Sequence, residues 1–178
     1  MKLFKKIVTL GTAVLMMTSI SSIGVNAETP KGTTFCETNT LEDNGNNVGV
    51  STNPWYLDDE SKGSNIPSAV WNLVQDGLYT VSGMTYTNPL YTNYLFTGST
   101  TMGVGIRSCN NNDVIVRVYK RNLFSSDTEI TNFTVPANGY AHKAISGLSA
   151  SSKYYVRFGY PSTIEGYVNE VVLPFYFS

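Results

Sequence analysis

Asp113–Lys120 reads DVIVRVYK. Val114, Val116 and Val118 alternate with Ile115, Arg117 and Tyr119. This is period-two patterning in β-branched and aromatic residues, the signature of a half-buried strand. One face is all valine and belongs in a core. The other carries Arg117 and can meet water, as antiparallel sheets allow. Asn110, Asn111 and Asn112 in front of it are turn chemistry. The stretch therefore predicts a central strand of an antiparallel core.

Outward from it the same logic recurs. Lys153–Tyr160 (KYYVRFGY) is a second emphatic strand, with Tyr154, Val156, Phe158 and Tyr160 on one side. Glu129–Val135 and Tyr140–Ile145 are strands on either side of Pro136-Ala137-Asn138-Gly139, a turn in which Pro presets φ and Asn-Gly supplies positive φ. Before the central strand, Met102, Val104 and Ile106 alternate with Gly103, Gly105 and Arg107. Two glycines on one face predict a close approach or a bulge. Tyr91–Thr97 reads as one strand with Tyr94 and Phe96 on one face, and Leu78–Val81 as a strand ended by Ser82-Gly83. Ser68–Val74 reads as a helical turn or a strand, with Trp71 in the core. Pro161–Glu165 reads as a turn, followed by strands Tyr167–Leu173 and Phe175–Phe177 on either side of Pro174.

Seven to nine short strands at this spacing, with no long stretch of period 3.6, predict an all-β antiparallel β-sandwich, jelly-roll-like, with an irregular N-terminal leader. The expected organisation is a signal peptide over 1–27, a polar leader and loops over 28–64, and the sandwich over 65–178.

The beginning of the chain is a processing segment. Lys2, Lys5 and Lys6 precede a mostly apolar run from Ile7 to Ile20, and Val25-Asn26-Ala27 is a small-x-Ala cleavage site. The apolar run is short for spanning hydrocarbon. The expectation is a secreted, extracellular bacterial protein beginning at Glu28, without a lipid anchor or a sorting signal. Removing 27 residues leaves 151, and three of the twelve basic residues leave with them, so nine basic residues face thirteen acidic ones. The acids are concentrated in the first part. That balance disfavours nucleic acid, whose phosphates need clustered Lys and Arg. The two cysteines, Cys36 and Cys109, are expected to pair in an exported chain, tying the leader to the turn before the central strand.

From Tyr91 onward the chain resembles bacterial pre-peptidase C-terminal modules. The resemblance lies in three blocks in order: Tyr91–Thr97 (YTNYLFT), Val114–Tyr119 (VIVRVY), and Ser152–Phe158 (SKYYVRF) followed by Gly166-Tyr167-Val168. It implies a jelly-roll-like sandwich of the kind found in secreted proteins. Thr92 and Asn93 stand where that family carries aspartates, which weakens a transfer of calcium binding.

Several residues could carry chemistry. A Ser-His-Asp triad would have to use His142, the one histidine, but there is no G-x-S-x-G elbow. The competing reading is a strand-surface histidine beside a turn. Asp58-Asp59-Glu60 and Glu42-Asp43 could supply a carboxylate pair, yet adjacent acids in polar loops are commonly solvated. Calcium is a candidate cofactor at these acids or at Asn110–Asp113, against ordinary Asx-turn chemistry.

The twelve tyrosines exceed what one core needs. Trp55, Tyr56, Tyr86 and Tyr91 fall in loops or at strand edges, where an apolar ring with a polar handle suits recognition. The residues thus predict a non-enzymatic module binding an extracellular polysaccharide, cell-wall polymer or protein, with no catalytic residue and no required cofactor. The alternatives are a small secreted hydrolase and a secreted toxin or antimicrobial protein acting on membranes.

Overall fold

The computed structural model describes residues 47–52 and 69–173. The chain divides into two compact units, Met1–Lys31 and Gly32–Ser178, and every described residue belongs to the second. The expected signal peptide, residues 28–46 of the leader, the loop with Trp55 and Tyr56, Cys36 and the strand at Phe175–Phe177 lie outside the described residues.

The described residues form eleven strands and no helix. Two sheets face each other. The first holds seven strands: β1 (Val50–Ser51), β2 (Val70–Asn72), β4 (Leu90–Thr92), β5 (Leu95–Thr97), β7 (Val114–Lys120), β8 (Thr128–Val135) and β10 (Tyr154–Phe158). The second holds four, in the order β3 (Tyr79–Thr85), β11 (Ser162–Asn169), β6 (Thr101–Ser108) and β9 (Tyr140–Ser146). Every pairing is antiparallel except β2 with β5. The protein is an all-β sandwich, as its alternation predicts.

The valine face of β7 sits at the centre. Val114, Val116 and Val118 are buried, and β7 lies between β8 and β10. The inner face of β10 adds Tyr154, Val156 and Phe158. The opposite sheet contributes Val81, Val104, Ile106, Ile164 and Val168 to the same core. Ser162–Asn169 is an eight-residue strand between β3 and β6, where a turn over Pro161–Glu165 is expected from sequence. β3 likewise runs on through Ser82-Gly83 to Thr85. Gly83 is there because of packing: a Cβ would stand 2.6 Å from Val50 Cγ2.

The glycine face of β6 has its explanation in the chain itself. A Cβ on Gly103 would stand 2.5 Å from the carbonyl of Val171 and from the amide nitrogen of Val172, so the segment after β11 crosses directly over it. A Cβ on Gly166 would collide with the carbonyl oxygen of Gly105 in the neighbouring strand.

Tyr91–Thr97 is not one strand. β4 and β5 pair with the same edge of β10, at Arg157–Phe158 and at Tyr154, and are separated by Asn93-Tyr94. Tyr94 packs on the core in edge-on ring pairs with Trp71 and Tyr79, and Tyr79 makes the same contact with Phe96.

Candidate functional site

The strand ends nearest the start of β7 gather four separate pieces of chain into one cleft of about 520 Å³. Its lining comes from the end of β3 (Met84, Thr85, Tyr86), the turn before β7 (Cys109 to Asn112), the β8–β9 turn (Asn138) and the start of β11 (Pro161 to Thr163). The Tyr160–Pro161 peptide is cis.

Hydrogen bonds hold the pieces together. The Cys109 amide donates to the Thr163 carbonyl at 2.8 Å, and the Asn138 amide to the Asn110 carbonyl at 3.0 Å. Asn138 Nδ2 donates to Asn111 Oδ1 at 2.8 Å, and Asn110 Nδ2 to the Pro161 carbonyl at 3.2 Å. Asn138 sits at φ 50°, a conformation an asparagine tolerates, and the Gly139 amide closes the turn on the Pro136 carbonyl at 3.0 Å. Asp113 Oδ1 accepts the Ala137 amide at 3.0 Å, which ties the two turns. The Asn111 and Asp113 side-chain oxygens thus bridge to the β8–β9 turn, where the sequence reading of Asn110–Asp113 expects local Asx-turn bonds. Among the described residues no group of three His, Cys, Asp or Glu is placed to hold a metal.

Chemically the cleft is unusual in one respect. Amides, hydroxyls, the Tyr86 ring, Met84, Cys109 and Pro161 line it, and among the described residues no acidic or basic side chain does. The Tyr86 ring is 52% exposed at its edge. Ser162 is buried at the inner end, and its Oγ has no hydrogen-bond partner. A buried hydroxyl without a partner loses its hydration for nothing in return, which is a cost to stability.

The structure splits the predicted tyrosine cluster. Tyr86 belongs to the cleft. Tyr91 is only 8% exposed on the outer face of the seven-stranded sheet, where it packs with Leu95 and Tyr155. The expected continuous recognition surface from Tyr86 to Tyr94 is therefore not present, because alternation turns Tyr91 outward and the break at Asn93 turns Tyr94 inward. Tyr119 stacks on Tyr155 with ring centroids 5.2 Å apart, and the Arg157 guanidinium lies 5.9 Å from the Tyr91 centroid. Burial works against the Arg157 charge, but the Tyr119 and Tyr91 phenols outweigh it and raise its pKa above the ordinary guanidinium value. A smaller groove of about 200 Å³ beside it is lined by Ile115, Arg117, Arg157 and Tyr160 among others. Arg117 pairs with Glu129 at 3.6 Å.

His142 is exposed on β9, opposite Gly105, and forms no hydrogen bond with a serine or an acid among the described residues. Asp58, Asp59, Glu60, Glu42 and Asp43 lie outside the described residues, as do Trp55 and Tyr56. Cys109 lines the cleft and is not a free cysteine. Asn138, Ser162 and Thr163 were not singled out by sequence. Only the Asn-Gly turn and the Asn110–Asn112 run offer a signal in sequence, the first as turn chemistry and the second as turn chemistry or oxygen ligands for calcium.

No protein-family model matches the chain, and no curated protein matches it. Among solved structures it is similar to CsCBM6-3 from Clostridium stercorarium in complex with cellobiose, with 12% identity, 53% of this chain and 74% of that one covered, and a TM-score of 0.36. It is similar to a family 6 carbohydrate-binding module at 8% identity, with the same coverages and a TM-score of 0.35. A glycoside hydrolase family 43 arabinoxylan arabinofuranohydrolase from Bacillus subtilis, in complex with cellotetraose, matches at 10% identity and a TM-score of 0.34. That match covers 71% of this chain and 24% of the hydrolase. Likeness at this level assigns neither a family nor a ligand.

Proposed function

We propose that the protein is a non-catalytic module that binds a neutral extracellular glycan in the amide-lined cleft. One observation carries the reading: an exposed tyrosine ring stands at the rim of a cleft walled by side-chain amides and hydroxyls, without a charge. A sugar ring has an apolar C–H face and a periphery of hydroxyls. Tyr86 suits the first. Asn110, Asn111, Asn112 and Asn138 suit the second, because an amide both donates and accepts. Among the described residues that line the cleft none is a carboxylate of the kind glycoside hydrolysis uses. The absence of a charge in the lining favours a neutral sugar over a uronate or a phosphorylated polymer. The signal-like leader and the paucity of charge fit an extracellular setting.

The test is co-sedimentation of the protein with a panel of insoluble neutral polysaccharides and isolated cell walls, repeated with Tyr86→Ala and Asn112→Ala. Both side chains are exposed, so both variants should fold. Selective pelleting that Tyr86→Ala weakens by about tenfold supports the reading, that being the loss of one stacked ring. Failure to pellet with any neutral polymer, or pelleting unaffected by both substitutions, refutes it.

A further inference from the structure

The wall of the cleft is thin on one side. The groove of about 200 Å³ on the outer face of the seven-stranded sheet lies directly beyond it. Asn112 lines the cleft and Asp113 the groove; Pro161 lines the cleft and Tyr160 the groove. Single peptide units thus separate the two spaces. Alternation along β10 would turn Tyr160 inward with Tyr154, Val156 and Phe158. The strand ends at Phe158, and the Gly159 amide adds one bond to β7, donating to the Ile115 carbonyl at 2.8 Å. Tyr160 lies past the ladder and is 54% exposed.

The place of Tyr160 relative to Tyr86 follows from register. Thr85 faces Ser162 across β3 and β11. Tyr86 is the residue after Thr85, and Tyr160 lies two residues before Ser162. In an antiparallel pair both steps run the same way. One strand spacing and a residue or two of chain therefore put the two backbone positions within about 10 Å of each other. Two exposed tyrosines flank the thin wall, one on the cleft and one on the groove.

The groove carries charge, but of both signs. Arg117 and Arg157 face each other in register on β7 and β10. Arg117 is paired with Glu129, and Asp113 stands at the end of the groove next to the cleft. Such a balance does not call for an ionised ligand. A guanidinium only donates and a carboxylate only accepts, so a sugar hydroxyl, which does both, is served by either. Between them the floor is Gly159 and the exposed side chain of Ile115, which suit an apolar C–H face.

We infer that the ligand is an internal stretch of a linear neutral glycan that crosses the Tyr160–Pro161 wall, with one part in the cleft against Tyr86 and the next in the groove against Tyr160. This extends the glycan reading of the cleft and rests on it: the protein recognises the body of a chain, not its end and not a single sugar. A site for a chain end closes behind the terminal residue. Here the space behind the wall is a second groove that repeats the same three chemistries, a tyrosine ring, donors and an acceptor.

The experiment is calorimetric titration of the protein with β-1,4-linked oligosaccharides of glucose, xylose and mannose, each series running from the disaccharide to the hexasaccharide. In the series that binds, the hexasaccharide should bind at least about tenfold tighter than the disaccharide, that being the gain from a second stacked ring. Tyr160→Ala should weaken hexasaccharide binding by about tenfold, with a loss that grows with chain length, and Tyr160→Phe should restore it. Tyr86→Ala should weaken short and long chains alike. Arg117→Met, in the groove and outside the cleft, is a second variant that should also cost more with the longer chain. Thermal melts confirm that the variants are folded. Equal affinity for disaccharide and hexasaccharide overturns the inference, as does hexasaccharide binding that neither Tyr160→Ala nor Arg117→Met weakens; binding that still depends on Tyr86 then leaves the cleft reading in place. Absence of binding to all three series also overturns it, and the sedimentation experiment decides the cleft reading separately.

Discussion

The hydroxyl of Thr92 accepts the Val156 amide at 3.1 Å and donates to the Tyr94 carbonyl at 3.3 Å, with Thr92 wholly buried. β4 pairs with Arg157 and Phe158, and β5 with Tyr154, so Val156 faces the break between them. A side chain stands in for the missing rung of the ladder. Thr92→Val keeps the shape and removes both bonds, leaving a buried amide without an acceptor. It should cost about 1–3 kcal/mol, read as a lower urea midpoint, with Thr92→Ser close to the wild type. A Thr92→Val midpoint equal to the wild type would show that the break is held by other means.

Gly103 is covered by backbone. A side chain can rotate away from an added methyl group, but the Val171 carbonyl cannot. Gly103→Ala should cost about 1–3 kcal/mol as an overpacking change. The segment it pushes away is held by Tyr167, whose hydroxyl donates to the Leu173 carbonyl at 2.6 Å and accepts the Leu173 amide at 2.7 Å. Amide exchange at Leu173 should therefore accelerate in the variant. Unchanged protection at Leu173 would contradict this account of the close approach.

Burial pushes the Tyr79 phenol up to about 12, with a smaller lowering by the Asn93 backbone and a further rise from Tyr94. The phenol donates to the Gly49 carbonyl at 2.7 Å. Between about pH 10 and about 12 the unfolded chain has lost this proton while the native protein keeps it. Stability is thus fully present below about pH 10 and falls as pH rises toward 12. Tyr167, also raised by burial, acts with the same sign. Tyr79→Phe should lose about 1 kcal/mol at neutral pH from the hydrogen bond, yet show a shallower fall of the melting temperature in that alkaline window. Parallel curves for the two proteins would rule out Tyr79 as the source.

We propose that Cys36 and Cys109 pair. The protein should then show no free thiol under denaturing, non-reducing conditions. Reduction, or Cys36→Ser with Cys109→Ser, should lower stability by about 4 kcal/mol, or roughly 10 °C in melting temperature. Two titratable thiols in the denatured protein would dismiss the bond.

The local alternation of the chain was enough to find the centre of the fold. Val114, Val116 and Val118, and then Tyr154, Val156 and Phe158, announce their inner faces because a strand's side-chain period is two. The turn at Pro136–Gly139 was legible for a similar reason, although positive φ falls on Asn138 and not on Gly139. Where a glycine or proline broke the pattern, the reading ended strands too early. Ser82-Gly83 and Ser162–Glu165 looked like punctuation. Both are strand: Gly83 admits Val50 against it, and Ser162–Glu165 pairs with β3 and, from Ile164, with β6.

The candidate site was legible only in fragments. Tyr86 and the Asn110–Asn112 turn stand out in the sequence separately, for different reasons, and nothing local joins them to Asn138 or Ser162. The sequence by itself determined which residues alternate, which segments turn and how little charge the chain carries, since these depend on neighbours a few residues apart. Only the tertiary structure decided that Tyr86 is presented while Tyr91 is packed away, and that the asparagines of two turns share one wall. It also decided that Tyr160 is exposed beside that wall. Those outcomes follow from which distant strands pair and which turns they bring together, and pairing between distant strands is not encoded at any single stretch.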